Sequence, residues 1–173
     1  DNRKVSKMLH TIGNFERISD HALNLTESSK EISEKKIQMS EQALSEIKRL
    51  GDAVLEIVDI TTKAYIDSDT VLAEKVEPLE QVIDLLGKNI RLHHVDRLQS
   101  GDCTIERGFV LADILNNYER ISDHCSNIAV AVLEADNDFF DPHEYTKNVR
   151  SEDNENFRRM FDEYKDKYLS QVF

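Results

Sequence analysis

The chain has 173 residues, of which 39% are hydrophobic, and its formal net charge is −12. This excess of carboxylates argues against sequence-independent binding to nucleic acid or to an anionic membrane surface. The low content of glycine and proline favours an all-α fold, and no apolar run approaches the about 20 residues that a membrane-spanning helix needs.

Apolar residues at helical spacing predict a first helix over residues 4–29, with its core face formed by Met8, Ile12, Phe15, Ile18, Ala22 and Leu25. Residues 30–39 form a charged connection, which is either a continuation of this helix or a turn. Ser40 is a suitable N-cap for a second helix over residues 41–66. Gly51 lies inside that helix at a cost in helix propensity, and close packing against a neighbour is a reason for it.

The third and fourth predicted helices cover residues 70–99 and 104–135. The run Asp67-Ser68-Asp69 is predicted to end the second helix and to cap the third. Pro78 predicts a kink or a second helix start within the third helix, because proline cannot donate the helical hydrogen bond. Connections of a few residues make the second, third and fourth helices antiparallel neighbours. Asp102 or Thr104 is expected to cap the fourth.

The remainder of the chain differs in amino-acid composition from the four predicted helices. Residues 136–150 have the composition of a turn region, and Ser151 is predicted to cap a last helix over residues 152–170. The apolar stripe of that helix is predicted to pack on the bundle and consists of Phe157, Phe161, Tyr164 and Tyr168. We therefore divide the chain into an antiparallel helical bundle, residues 1–136, and a linker with an extra C-terminal helix, residues 137–173.

One octet occurs twice in the chain, which indicates an internal duplication. Residues 14–21 read Asn-Phe-Glu-Arg-Ile-Ser-Asp-His, and residues 117–124 repeat this sequence with Tyr in place of Phe. On a helix, the apolar residues of each copy lie on one side. The Glu and the Asp of each copy are four residues apart and therefore stand one above the other on the opposite side.

These stacked carboxylates are candidate metal ligands. Like charges at this spacing repel each other mildly, and their presence in both copies suggests that a cation lies between them. The third helix carries a similar pair, which would face the second copy across an antiparallel contact. Four carboxylates so placed suit Fe, Mn, Mg or Ca. For the pair on the third helix, a solvated acidic face is the more common alternative. The candidate ligands are Glu119, Asp123, Glu80, Asp84, Glu16 and Asp20.

The basic residues of the octets are expected to support the structure rather than chemistry. His21 and His124 are predicted to hydrogen-bond to neighbours instead of binding metal, and Arg17 and Arg120 to pair with carboxylates of the bundle. A di-iron carboxylate enzyme needs Glu-x-x-His on two helices, but serine stands three residues after the glutamate in both copies. The chain is therefore predicted not to be an enzyme.

The octets resemble the PhoU family of phosphate-transport regulators, whose motif helices carry E(D)xxxD within E-R-I-x-D-H. Here the matching residues are Glu16 to His21 and Glu119 to His124. The resemblance implies three-helix bundles and a surface metal site that holds Fe, Mn, Mg, Ca or Zn. Residues 4–135 carry this similarity, and the tail after them is not typical of the family.

The resemblance also implies a function. A PhoU-like region occurs as the cytoplasmic C-terminal portion of bacterial sodium/phosphate cotransporters, and we expect a regulatory domain of this kind on the cytoplasmic side of the membrane. A stand-alone PhoU-type regulator of phosphate uptake is the alternative. The expected partners are the membrane portion of the parent transporter and, through the first helix, a second copy of the chain; nucleic acid is not expected.

Overall fold

The computed structural model describes residues 2–136 and 154–170, and every regular element in them is a helix. The predicted all-α fold is thereby confirmed. No helix among these residues is both long and apolar enough to cross a membrane. The helices are α1 (Asn2–Glu34), α2 (Glu41–Asp67), α3 (Thr70–Ala73), α4 (Val76–Gln99), α5 (Ile105–Asp136) and α6 (Glu155–Tyr168).

The connection between α1 and α2 combines both predicted possibilities. Helix α1 continues through Glu34, and a turn with Lys36 in the left-handed region follows it. The Ser40 hydroxyl accepts a hydrogen bond from the backbone N of Ala43 at 3.2 Å. This bond satisfies one of the free N–H groups at the start of α2, so the predicted N-cap is confirmed.

A second helix start occurs close to Pro78, as its position predicts. Asp69 caps α3 by accepting from the backbone N of Leu72 at 3.0 Å, and α3 ends at Ala73. Helix α4 then begins at Val76, which places Pro78 in the first turn, where a missing N–H costs little. The proline therefore marks the start of α4 instead of bending one long helix.

The last helix, α6, begins at Glu155. Asn154 caps it by accepting from the backbone N of Phe157 at 3.0 Å. The predicted cap, Ser151, lies outside the described residues. The predicted packing of α6 on the bundle is confirmed, because Tyr168 and Leu169 are buried and Phe161 and Tyr164 contact the core.

Helices α2, α4 and α5 form a three-helix bundle, and its centre is filled by aliphatic side chains. Helix α6 packs against α4 and α2, and α1 packs along α5. The largest fully buried aliphatic side chains are Leu50, Ile57, Leu79, Ile83, Leu115 and Ile128. Helix α5 therefore lies between α1 and the rest of the bundle.

The predicted core face of α1 is wrong in part. Met8 and Ile12 are more than half exposed, and Ala22 is exposed as well, whereas Ile18 and Leu25 contact the core. The α1 residues that are most buried are polar and include Thr11, Asn14 and Ser28. Their burial against α5 is tolerated because buried polar groups of this kind make hydrogen bonds. Hydrophobic periodicity alone therefore predicted a buried side of α1 that is next to the side that the structure buries.

Candidate functional site

The two octets of the repeat pack against each other across α1 and α5. The Nδ1 of His124 donates to the Oδ1 of Asn14 at 2.9 Å, and the Nδ1 of His21 donates to the Oδ1 of Asn117, also at 2.9 Å. The first residue of each octet thus binds the last residue of the other. The two copies therefore meet as an antiparallel pair with reciprocal contacts.

The orientation of Asn117 fixes the proton on His21. Its Nδ2 donates to the carbonyl oxygen of Asp113 at 2.8 Å, so its Oδ1 faces His21 and also accepts from Asn24 at 3.1 Å. Since an amide oxygen can only accept, the Nδ1 of His21 carries the proton. The predicted hydrogen bonding of both octet histidines is confirmed.

The imidazole rings of His21 and His124 stack with their centroids 5.7 Å apart. Burial lowers the pKa of His124 below its ordinary value, and the nearby positive charges of His21, Arg17 and Arg120 lower that pKa further. Both effects disfavour the imidazolium. The contact between the octets therefore favours the neutral form of His124.

The carboxylates of the second octet lie at the contact between α4 and α5, each beside a basic side chain. The Oε2 of Glu119 is 2.7 Å from the Nη2 of Arg91 on α4. The Oδ2 of Asp123 is 3.4 Å from the Nη1 of Arg120, which agrees with the predicted pairing of that arginine. On α4, Asp84 lies 3.8 Å from Lys88.

Three of the predicted ligands are close enough to influence one another. Burial raises the pKa of the Asp123 carboxyl, Arg120 opposes this rise, and the charges of Asp84 and Glu119 add to it. Carboxylate oxygens are ligands of the kind that a hard cation prefers. Within residues 2–136 and 154–170, however, no three acidic, histidine or cysteine side chains already form a group able to hold a metal ion. The metal site stays a prediction.

The other predicted ligands have different surroundings. Glu80 is buried and accepts from the Nε2 of Gln81 at 2.8 Å. Glu16 and Asp20 are exposed on α1, which packs along α5. The structure thus brings Asp84 near the second octet, whereas it places Glu80 in the interior and Glu16 and Asp20 on an outer surface.

Arg91 was not among the predicted functional residues. Its Nη2 donates both to Glu119 and to the Oδ1 of Asn116, the latter at 3.0 Å. A Cβ added to Gly87 would lie 3.3 Å from the Nη1 of Arg91, so the missing side chain at Gly87 leaves room for the guanidinium. The sequence signal was available, since Arg91 lies seven residues after Asp84 and hence on the same side of α4.

A buried ionic cluster joins α2 and α4. Glu46 is only 6% exposed, and its carboxylate is 2.7 Å from the Nδ1 of His93 and 3.0 Å from the Nη1 of Arg97. This cluster was not predicted from the sequence. Its burial and its two ion pairs to one carboxylate support a structural role.

The other candidate groups bring no reactive chemistry. Both cysteines are free, and burial raises the pKa of Cys125 to about 12, so this thiol stays protonated. A cavity of about 550 Å³ lies between α1, α2 and α5. Its walls are mainly aliphatic and include Leu25, Leu44 and Tyr118, so they offer contact surface but no catalytic group.

Comparison with known proteins finds similarity to the PhoU domain within this arrangement. Residues 47–132 match the family model described as PhoU domain. The matched segment covers most of α2 and all of α3 and α4, and it reaches through the second octet in α5. The second octet therefore lies on α5, inside the matched segment, and the first octet lies on α1, which packs antiparallel to α5.

One similar protein is the phosphate-specific transport system accessory protein PhoU homolog 1 of Thermotoga maritima. The chain is 30% identical to it over 131 residues, which is 76% of this chain and 56% of that protein. The chain therefore spans about half the length of this relative. A comparison with solved structures found no match. Both matches support the prediction that the chain is not an enzyme.

Proposed function

We propose that this chain is a PhoU-type accessory protein that regulates phosphate uptake. The observation that carries the proposal is that the segment matching the PhoU domain and the contact between the two octets share helix α5. The three-helix unit of α2, α4 and α5 contains the segment that matches the PhoU domain, and α5 also carries the octet that pairs with α1. The similarity to an accessory protein of phosphate transport supports regulation over transport itself.

The proposed mechanism uses α5 as the element shared by two contacts. On one side, the carboxylates of Asp84, Glu119 and Asp123 would hold a cation, and Fe, Mn, Mg, Ca and Zn are the candidates. Such an ion would supply positive charge that offsets the repulsion among these carboxylates. On the other side, the histidine–asparagine pairs couple α5 to α1. A shift of α5 is thereby passed to α1.

The proposed partner is a membrane transporter of phosphate, approached from the cytoplasmic side. Helix α1 offers the contact surface, because several of its large apolar side chains are more than half exposed. Exposed apolar clusters of this kind mark sites of protein contact. A second copy of the chain is the other proposed partner of this surface, and nucleic acid is not proposed because the net charge is −12.

Phosphate uptake in cells that lack the gene tests the proposal. We expect deletion to raise phosphate uptake under phosphate-rich conditions, and the wild-type chain to restore the normal rate. The double variant Glu119→Gln with Asp123→Asn should restore it only weakly. A matched control, Asp59→Asn with Glu27→Gln, changes two exposed carboxylates outside the octets and should behave as wild type. Unchanged phosphate uptake after deletion refutes the proposed function.

A finer alternative is the cytoplasmic domain of a sodium/phosphate cotransporter. The exposed apolar side of α1 favours it, because a covalently attached membrane portion would cover that side permanently. The genomic sequence upstream of Asp1 separates the two functions: membrane-spanning segments support the cotransporter, and further non-membrane helices support the accessory protein. Sodium dependence of the altered uptake is a second, independent criterion.

A further inference from the structure

We propose that the joined ends of α4 and α5 form a docking surface for a basic amphipathic helix of a partner protein. The large apolar side chains that are exposed at this end are Leu92, Val95, Ile105 and Phe109. Together with the exposed Ala112 they are called the hairpin patch. The patch precedes the second octet on α5, so the inference depends neither on the predicted metal site nor on a role in phosphate uptake.

The contact between His94 and Gly108 places the two halves of the patch on one side of the helical hairpin. A Cβ added to Gly108 would lie 2.5 Å from the Nε2 of His94, so these residues face each other across α4 and α5. Val95 and Phe109 each follow one of them in the sequence and lie about 100° further round the helix. Because the two helices run antiparallel, both rotations lead to the same side of the contact.

Helical spacing extends the patch from these two residues. Leu92 lies three residues before Val95 on α4. On α5, Ile105 lies four residues before Phe109, and Ala112 lies three residues after it. Residues at these spacings are neighbours on a helix surface. Ile105 is 71% exposed and Phe109 is 70% exposed, so the described helices leave both uncovered. A contiguous exposed cluster of this kind marks a site of protein contact, whereas single exposed apolar residues do not.

Negative charge borders the patch on both of its outer sides. The exposed carboxylates there are those of Asp96 on α4 and of Glu106 and Asp113 on α5. None of the three pairs with a basic side chain in the part of the chain that the structure describes. Arg91, four residues before Val95, already pairs with Glu119. The border therefore attracts positive charge.

These properties indicate which partner fits. An amphipathic helix presents apolar side chains at helical spacing to a groove between two helices, and it can carry lysine or arginine on its flanks. The flanks then meet the acidic border of the patch, which gives charge complementarity. A second copy of the chain would bring the same carboxylates to this surface, and an anionic membrane would bring further negative charge. Both are therefore disfavoured as occupants.

The test measures the binding of designed peptides by fluorescence anisotropy. The probe is a fluorescein-labelled helical peptide of about 16 residues with leucines on one side and lysines on the other, and its control has glutamate in place of every lysine. The wild-type chain should bind the basic peptide, and the acidic peptide at least about tenfold more weakly. Ile105→Ala with Phe109→Ala should weaken binding of the basic peptide about tenfold. Leu55→Ala with Ile66→Ala removes two equally exposed side chains of α2 and should not change it.

A second pair of variants tests the acidic border. Asp96→Asn with Asp113→Asn should weaken binding of the basic peptide about fivefold and reduce its dependence on salt. Asp59→Asn with Glu27→Gln changes the net charge equally at exposed positions elsewhere and should bind as the wild type does. Circular dichroism verifies that every variant keeps its helical content.

Several results would overturn the inference. These are failure of the wild-type chain to bind the basic peptide, unchanged binding in Ile105→Ala with Phe109→Ala, and an equal loss in Leu55→Ala with Ile66→Ala. Loss of binding in Met8→Ala with Ile12→Ala alone would place the peptide on α1 instead.

Two further measurements distinguish the other occupants. If the Ile105 and Phe109 variant had a smaller molecular mass than the wild type by light scattering, the patch would be a contact between copies. If the wild type bound phosphatidylglycerol vesicles and this variant did not, the patch would be a membrane contact. Either result overturns the assignment of a basic helix to this surface.

Discussion

His124 on α5 donates a hydrogen bond to Asn14 on α1 at 2.9 Å, and the same two residue types meet again between His21 and Asn117 with the helices exchanged. The two ends of one octet are thus complementary to each other. A duplicated helix with this property pairs with its own copy in the antiparallel sense, and both contacts form together. The duplication therefore accounts directly for the way in which α1 is attached.

Acid should weaken this attachment. Burial and the neighbouring positive charges lower the pKa of His124 from its ordinary value of 6.5. The folded state therefore binds fewer protons than the unfolded state, so stability is complete above about pH 6.5 and is lost as the pH falls through the lower, folded pKa. Urea unfolding at about pH 7.5 and about pH 5.5 should show a lower free energy of unfolding at the acidic pH.

The variant His124→Gln provides the control for this pH effect. Glutamine can donate to Asn14 but does not titrate, so the loss of stability on acidification should be smaller. It should not vanish, because burial also lowers the pKa of His94 on α4, which acts in the same direction. An identical pH dependence in the wild type and the variant contradicts the role of the octet contact.

Much of the fold was predictable because the signals for it are local. Ser40 and Asp69 cap helices through contacts three residues along the chain, and Pro78 marks a helix start whatever packs around it. The exposed side of α1 was not predictable in the same way. Which side of a helix is buried depends on its neighbour, and α5 offers α1 the polar partners Asn117 and His124 together with apolar ones.

The candidate site was predictable only in part, for a related reason. The spacing of Glu119 and Asp123 places them on one side of α5 whatever else surrounds them. The pairing of Glu119 with Arg91 depends on the register between α4 and α5, which spacing within one helix does not supply. The burial of Glu80 depends on the packing at the start of α4. Helical periodicity predicts which side of a helix a carboxylate lies on. Contacts between helices determine whether that carboxylate is buried or paired with a basic side chain.

Two glycine-to-alanine substitutions should have opposite effects on stability. A Cβ on Gly51 would lie 3.0 Å from the hydroxyl oxygen of Tyr118, whereas a Cβ on Gly13 would meet no atom within 4 Å. We expect Gly13→Ala to raise the free energy of unfolding by about 0.5–1 kcal/mol through helix propensity. Gly51→Ala gains the same helix propensity, but overpacking against Tyr118 should outweigh this gain and lower the free energy of unfolding by about 1 kcal/mol. Thermal unfolding followed by circular dichroism measures both.

Tyr118→Phe identifies the cause of the Gly51 effect. It removes the oxygen that the new Cβ would meet most closely, so the double variant with Gly51→Ala should lose less stability than the sum of the single changes. If Gly51→Ala proved as stabilising as Gly13→Ala, the close approach of α2 and α5 at this point would be refuted.

Removal of the Glu46 carboxylate should cost far more than removal of a surface carboxylate. Glu46→Ala leaves the buried Arg97 without its partner, and such a loss destabilises by about 3–5 kcal/mol. Asp52→Ala removes the partner of Lys48 in an exposed pair and should cost at most about 0.5 kcal/mol. Equilibrium urea unfolding of the two variants compares these costs. A similar, small loss in both would show that the cluster of Glu46, His93 and Arg97 is not a buried ion pair in solution.

The exposed side of α1 should mediate self-association. Five large apolar side chains of this helix are more than half exposed, namely Val5, Met8, Leu9, Ile12 and Leu23. At the repeat offset of 103 residues, Met8 and Ile12 correspond to Leu111 and Leu115, which are buried in the bundle. By analogy with α5, we expect another protein surface to cover this side of α1. A second copy of the chain presents the same apolar surface. We expect a dimer by light scattering at high protein concentration.

Salt and one substitution distinguish this dimer from non-specific association. Each copy carries a net charge of −12, so added salt should strengthen the dimer by screening the repulsion between copies. Ile12→Glu places a charge at the centre of the apolar surface and should yield monomers, whereas Leu55→Glu, at an exposed position on α2, should leave the dimer intact. A wild-type chain that stays monomeric in high salt rules out self-association through α1. It would leave the transporter as the proposed partner of that surface.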